Sequence, residues 1–310
     1  MLIFWVTLGI LDLLILFFFI LLCIISLRHA PNDIRKHEFR EGSVLDRLQK
    51  EIIKDECFFD AHPKQELSIQ NDGLVLYADR FTQQNPRGRI LLFHGYRSMA
   101  ETDFACVMES YYSAGFELIL IDQRAHGKSA GNWIGFGVTE RKDCLAWIKY
   151  LNQQFGPIPS YLCGISMGAS TVLMATGQPL PSNIRGVVAD CGFTSPKEII
   201  SYIIKKKLHL PSRLLLPVLS CFSRLFAGYY FGEYSVAEAM KSNTLPILFI
   251  HGKADRFVPT EMTIKNYRAC QTEKRLILVE GAGHGTSFLQ DRENVEKEIL
   301  DFLESHLSNA

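Results

Sequence analysis

The sequence carries no excess of charge of either sign: 33 Lys and Arg balance 33 Asp and Glu. A domain that grips nucleic acid needs a basic surface against phosphate, so no global field argues for that partner. There is no C-x-x-C pair among the eight cysteines (Cys23, Cys57, Cys106, Cys144, Cys163, Cys191, Cys221 and Cys270). The nine histidines are spread out, with no H-E-x-x-H or comparable ligand spacing. Neither a metal nor an organic cofactor is therefore expected. Scattered cysteines in a chain this long also make a poor disulfide framework. Several lie within apolar runs, where a thiol behaves as a small hydrophobe, and buried free thiols point to a reducing compartment. No internal repeat or low-complexity segment interrupts the 310 residues, enough for one large or two modest domains with a sizeable core.

Basic residues are missing from the N-terminus as well. Residues 2–27 contain one charged side chain, Asp12, and the run is long enough to cross a bilayer as a helix. A secretory signal would carry a basic n-region, a shorter apolar stretch and a small-x-small cleavage site, and these are lacking. Cys23 follows Leu22 rather than a small residue, which argues against lipoprotein-type processing. An uncleaved transmembrane anchor over residues 1–27 is the expectation. Asp12 is costly at mid-membrane; protonation, pairing with another subunit's helix or a position near the outer interface would each relieve it. Arg28, Arg35, Lys36, Arg40, Arg47 and Lys50 follow the run and nothing basic precedes it. The positive-inside tendency then puts the rest of the chain on the cytoplasmic side of the cell membrane.

Residues 28–66 form a charged juxtamembrane segment. In it Ser43 and Asp46 resemble a capping box, and Leu45, Leu48, Ile52 and Ile53 make an apolar helical face. That face is expected to pack on the following domain rather than lie on the membrane, because the polar face carries both signs. Residues 67–310 alternate β with α. Asn71-Asp72-Gly73 marks a hairpin between two short strands. Residues 89–93, 116–121, 161–163, 184–189, 246–250 and 275–279 read as strands, and 101–113, 139–154, 169–174 and 292–307 as helices. The alternation implies an α/β domain with a mostly parallel, doubly wound sheet. Residues 192–244 break it: short helical pieces are interrupted by Pro196, Pro211, Pro217 and Gly228 and carry Lys205, Lys206, Lys207, His209, Arg213 and Arg224. An insertion late in such a sheet reads as a lid over the site. The alternative is a helical layer that merely covers the sheet.

Leu162-Cys163-Gly164-Ile165-Ser166-Met167-Gly168 is the most informative stretch. An apolar run ending in G-x-S-x-G is how a strand-to-helix turn holds a serine exposed above a sheet. A serine hydroxyl needs a base to take its proton and a third group to orient the base. In this topology the acid and then the histidine follow the serine along the chain. Asp255 comes just after one strand run, and His284 lies in the glycine-flanked Gly283-His284-Gly285 after the next. Two backbone N–H donors complete such a site: that of Met167, after the serine, and that of Tyr96 in the strand-end turn His94-Gly95-Tyr96. Asp190 competes with Asp255 for the acid's place. Glu280 reads as a loop charge, and His94 and His251 as structural residues. Asp122-Gln123-Arg124-Ala125-His126-Gly127 reads as a structural turn beside the oxyanion loop.

From about residue 69 to 307 the chain resembles the α/β-hydrolase superfamily, in particular its membrane-anchored serine aminopeptidase-like and monoacylglycerol lipase-like members. The resemblance rests on His94-Gly95-Tyr96, Asp122-x-Arg124-x-His126-Gly127-x-Ser129, Gly164-x-Ser166-x-Gly168, His251-Gly252-x-x-Asp255-x-x-Val258-Pro259 and Gly283-His284. Epoxide hydrolases and dehalogenases of that fold carry Asp where this chain has Ser166. The expectation is a serine hydrolase of carboxylic esters acting through an acyl-enzyme, with a small-molecule or lipid-like acyl substrate. A membrane-anchored serine peptidase and a non-enzymatic tethered interaction module are the alternatives. A chain cut before Arg28 is expected to be soluble and active.

Overall fold

The computed structural model describes residues 1–30, 38, 40–62, 64–207 and 209–307, with the backbone alone for Leu2, Ile3, Leu45, Asp55, Glu56, Cys57 and Asp60. Arg35 and Lys36, and the side chains of Leu45 and Cys57, thus lie outside what is described.

The chain opens with α1 (Leu2–Ser26) and α2 (Val44–Ala61), then the hairpin β1 (Lys64–Asn71) and β2 (Leu74–Phe81). Next come β3 (Gly88–Phe93), α3 (Ala100–Asp103), α4 (Met108–Ser113), β4 (Phe116–Ile121), α5 (Glu140–Phe155), β5 (Ser160–Ile165), α6 (Met167–Ala175) and β6 (Ile184–Asp190). After α7 (Pro196–Lys206), α8 (Ser212–Ala227) and α9 (Val236–Ala239), the domain closes with β7 (Ile247–Gly252), α10 (Thr260–Ala269), β8 (Lys274–Val279), α11 (Ser287–Gln290) and α12 (Arg292–Leu307). The eight strands form one sheet in the order β1-β2-β4-β3-β5-β6-β7-β8. β2 is antiparallel to both β1 and β4, and every other pair is parallel.

The continuous apolar runs are explained by burial on both faces. Along β3, Leu91 and Phe93 face a core shared with α5, α6, α7 and α8, whereas Ile90 and Leu92 face one shared with α2, α4, α11 and α12. The hairpin turn places Asp72 and Gly73 at φ 49° and 75°, the left-handed pair that a two-residue hairpin requires.

Several local expectations change. Residues 101–113 form two short helices rather than one. β1 starts at Lys64, inside the segment expected to be juxtamembrane. Ser43 does cap α2, accepting from the Asp46 amide, but Ile53 points outward at 49% exposure. The packed face of α2 keeps Leu48 and Ile52 and continues to Phe58 and Phe59. Pro196 opens α7 and Pro211 caps α8, yet α8 continues through Pro217. That proline has no N–H to give the Arg213 carbonyl, so the helix continues there at the cost of one backbone bond and of crowding against that carbonyl. Cys144, Cys163, Cys191 and Cys270 are buried thiols, while Cys221 on α8 is exposed.

α1 is long and apolar enough to cross a membrane over Phe4–Ser26. It does not stand apart from the domain. Leu21, Leu22 and Ser26 are buried. Phe18 and Phe19 meet Phe222 and Phe226 of α8, with ring centroids 5.9 and 4.8 Å apart. The Ile134 amide donates to the Ser26 carbonyl (2.7 Å) and the Arg28 amide to that of Asn132 (2.8 Å). The Arg28 guanidinium caps the carbonyls of Gly127 and Ser129.

Candidate active site

β5 ends in a turn that only small residues permit. A Cβ on Gly164 would lie 2.3 Å from the Gly168 carbonyl carbon, and one on Gly168 would lie 1.8 Å from the Phe93 oxygen. Between them Ser166 is forced to φ 56°, ψ −113°, a strained conformation for a residue with a side chain. Its amide donates to the Asp190 carbonyl (2.8 Å), and α6 starts at the next residue.

β7 and β8 deliver the partners from the same edge of the sheet. His284 Nε2 lies 2.8 Å from Ser166 Oγ, and His284 Nδ1 lies 2.6 Å from Asp255 Oδ2. A carboxylate only accepts, so Nδ1 carries the hydrogen and Nε2 turns a lone pair to the serine hydroxyl. A base so placed can take the hydroxyl proton. Phe257 packs its ring 4.9 Å from that of His284.

Asp255 is held from below. Its Oδ1 accepts the amides of Phe257 (2.7 Å) and Val258 (2.9 Å). Its Oδ2 also accepts from His251 Nε2 (3.1 Å), whose other ring nitrogen faces Thr263 Oγ1 at 2.7 Å. Burial works to raise the Asp255 pKa. The hydrogen bonds from His251 and His284, the charge of His284 and the Phe257 amide outweigh it and keep the carboxyl well below the usual range. Asp190, the competing acid, is engaged elsewhere: its Oδ1 accepts from Ser287 Oγ (3.2 Å), and burial raises its pKa. Glu280 pairs at the surface with Lys253.

The loop after β3 brings Tyr96 to the cavity that contains Ser166. His94 Nε2 accepts the Gln123 amide (3.1 Å), and His126 Nε2 accepts the Arg97 amide (3.0 Å). Both histidines are kept neutral by burial, which lowers their pKa values to about 4 and about 3. The turn read as structural thus ties down this loop. Asp103 on α3 was not legible in the sequence as part of the site. Its Oδ2 accepts the Gly95 amide (2.6 Å) and its Oδ1 accepts Ser98 Oγ (2.5 Å). No spacing rule flags an acid eight residues past a glycine in a loop. Met167 is the first residue of α6, so its N–H has no acceptor within the helix.

Cys191, Asp255 and His284 bring one ligand-type atom each within 4.8 Å of one another. Asp255 and His284 spend those atoms on each other, and burial holds the Cys191 thiol protonated, with a pKa well above its ordinary value. The donor set suits a hydrogen-bonded relay better than an ion.

A family model described as serine aminopeptidase matches residues 84–226, and one described as TAP-like protein matches residues 230–309. The chain belongs to the α/β-hydrolase superfamily. This α/β-hydrolase is similar to YqkD, an uncharacterized protein of Bacillus subtilis: 29% identical over 219 residues, 70% of this chain and 71% of that one. It is 23% identical over 281 residues to a bifunctional esterase/perhydrolase of Acinetobacter calcoaceticus, covering 76% of this chain and 98% of that one. Among solved structures, an esterase of Pyrococcus furiosus shares its fold with a TM-score of 0.65 at 20% identity, over 91% of this α/β-hydrolase and 99% of that chain.

Proposed function

We propose that this α/β-hydrolase is a serine hydrolase that cleaves carboxylic esters of acyl or lipid-like substrates through an acyl-enzyme. The hydrogen-bonded chain Ser166–His284–Asp255, opening into an apolar cavity, carries the reading. Ser166 Oγ attacks the ester carbonyl carbon while its proton passes to His284 Nε2. The carbonyl oxygen becomes an oxyanion, held by the N–H groups of Tyr96 and Met167. When the carbon–oxygen bond to the leaving group breaks, His284 returns the proton to the departing alcohol and the acyl group stays on Ser166. Water then attacks the acyl-enzyme by the same route and the acid is released. Asp255 orients His284 and stabilises its protonated form.

The cavity also bears on the peptidase alternative, which the serine aminopeptidase family model supports. An aminopeptidase must hold a substrate ammonium, for which a carboxylate is the natural partner. The cavity of about 270 Å3 beside Ser166 is lined by residues such as Phe136, Phe193, Ile199 and Val258 and, among the described residues, by no acidic side chain. That favours an acyl group. α1 is proposed as a membrane anchor over residues 1–27, with the domain on the cytoplasmic side and residues 192–244 as a lid. Fluorophosphonate labelling tests the reading: wild type is labelled and Ser166→Ala is not. Labelling independent of Ser166, or a marked preference for aminoacyl-nitroanilides over p-nitrophenyl esters, would overturn it.

A further inference from the structure

α1 does more than precede the domain. Leu21, Ile24 and Ile25, in its last two turns, line the cavity that holds Ser166, opposite Ile199 and Ile203 of α7. Ile24 is 58% exposed although it lines the cavity, so the cavity reaches the outer surface beside it. The same turns are bonded to the loop on the other side of the site. Tyr96 Oη donates to the Ile25 carbonyl (2.6 Å) with its ring stacked on Phe136, and Arg97 donates to the Ile24 carbonyl (2.7 Å).

Depth follows from helix geometry. At about 1.5 Å per residue, a hydrocarbon layer of about 30 Å takes about 20 residues. Counted from Phe4, where the apolar span begins, the layer ends near Cys23. Phe18 and Phe19, where α8 packs, then lie inside it, and Ile24 and Ile25 reach the headgroup level, where glycerolipid esters sit. α8 is built for such a position. Leu214, Cys221 and Leu225 fall on one helical face and are exposed, the two leucines at 72% and 75%. An exposed apolar face with Arg213 and Arg224 beside it suits the boundary of a bilayer. Continuity with α1 makes the bilayer its occupant.

We propose that the last two turns of α1 are a substrate-binding element. They form the membrane-side wall of the acyl pocket, and an acyl ester resident in the bilayer reaches Ser166 past Ile24. This rests on the serine-hydrolase reading and on α1 as the anchor, and it names the substrate as a membrane lipid ester. The cavity, near the low end of ligand-pocket volumes, fits one acyl chain rather than a whole lipid.

The test uses the full chain in phosphatidylcholine nanodiscs and the ratio of kcat/KM for p-nitrophenyl palmitate to that for p-nitrophenyl butyrate. Ile24→Trp narrows the wall and should lower the ratio at least ten-fold. Ile24→Ala should raise the ratio. A ratio unchanged in both variants overturns the proposal. A second readout does not depend on turnover. In Ser166→Ala protein, a palmitoyl ether with a terminal diazirine should label the buried Ile199 as well as α1, and Ile24→Trp should abolish the Ile199 label. Label on α1 without label at Ile199 overturns the proposal even where fluorophosphonate reacts with Ser166. Label at Ile199 in the Ser166→Ala protein, with wild type left untouched by fluorophosphonate, upholds the pocket while the hydrolase reading falls.

Discussion

Replacing Asp255 with Asn changes a single side-chain atom, and the surrounding bonds dictate its effect. The amides of Phe257 and Val258 donate to Oδ1, so the Asn oxygen takes that place and its NH2 group takes the place of Oδ2. There it meets His284 Nδ1 and His251 Nε2, both of which had donated to a carboxylate. His284 relieves the conflict by moving its hydrogen to Nε2, and that nitrogen then presents N–H to Ser166 instead of a lone pair. A base locked in the wrong tautomer costs about 10⁴ in kcat, or about 5 kcal/mol. His251 has no such escape, because its Nε2 also donates to the Val258 carbonyl (3.0 Å). A buried donor left facing a donor adds about 1–3 kcal/mol of lost stability. The assay is kcat on p-nitrophenyl butyrate in detergent micelles, beside thermal unfolding monitored by circular dichroism. A kcat within ten-fold of wild type refutes the assignment. Asp190→Asn is the paired control and should keep kcat within ten-fold; if it loses more than Asp255→Asn, Asp190 is the acid.

Asp103→Ala deletes both bonds that hold Gly95 and Ser98, so kcat on the same ester should fall by about ten-fold, short of the ~100-fold cost of losing an oxyanion donor outright; an unchanged kcat would remove Asp103 from the loop's support. Tyr96→Phe deletes the bond to the Ile25 carbonyl and should lower the unfolding free energy by about 1 kcal/mol, with no stability loss if the last turns of α1 do not hold that loop. For the same reason a chain that starts at Arg28 should lose activity, contrary to the expectation from sequence, because it lacks the wall at Leu21, Ile24 and Ile25. His94, like His126, contributes to acid sensitivity. Its native pKa of about 4 lies below the unfolded value of 6.5, so between these the unfolded chain binds a proton that the native chain refuses. Stability therefore falls as pH drops from about 6.5 to 4, by about 3 kcal/mol from this residue. The stability advantage of wild type over His94→Asn should shrink by that much on going from pH 7 to 4; a constant difference would mean His94 is protonated in the native state.

Strand runs such as 116–121 and 184–189 were legible because a strand buried on both faces leaves an uninterrupted apolar stretch. Ser166 was legible because its turn demands Gly164 and Gly168 at fixed spacing, and Asp255 and His284 because chain order in this topology follows strand order. These are local constraints, written in neighbouring residues. What pairs with what across the sheet is not local. Only the fold decides that His284 turns to Asp255 rather than Asp190, through register at the ends of β7 and β8. Only the fold brings Asp103 under Gly95, since a hydrogen bond from a neighbouring element leaves no periodic trace. The sequence by itself determined that an apolar helix precedes a domain with a serine turn. That the end of this helix lines the serine's cavity was decided by packing, because Leu21, Ile24 and Ile25 are equally apolar whether they face lipid or substrate.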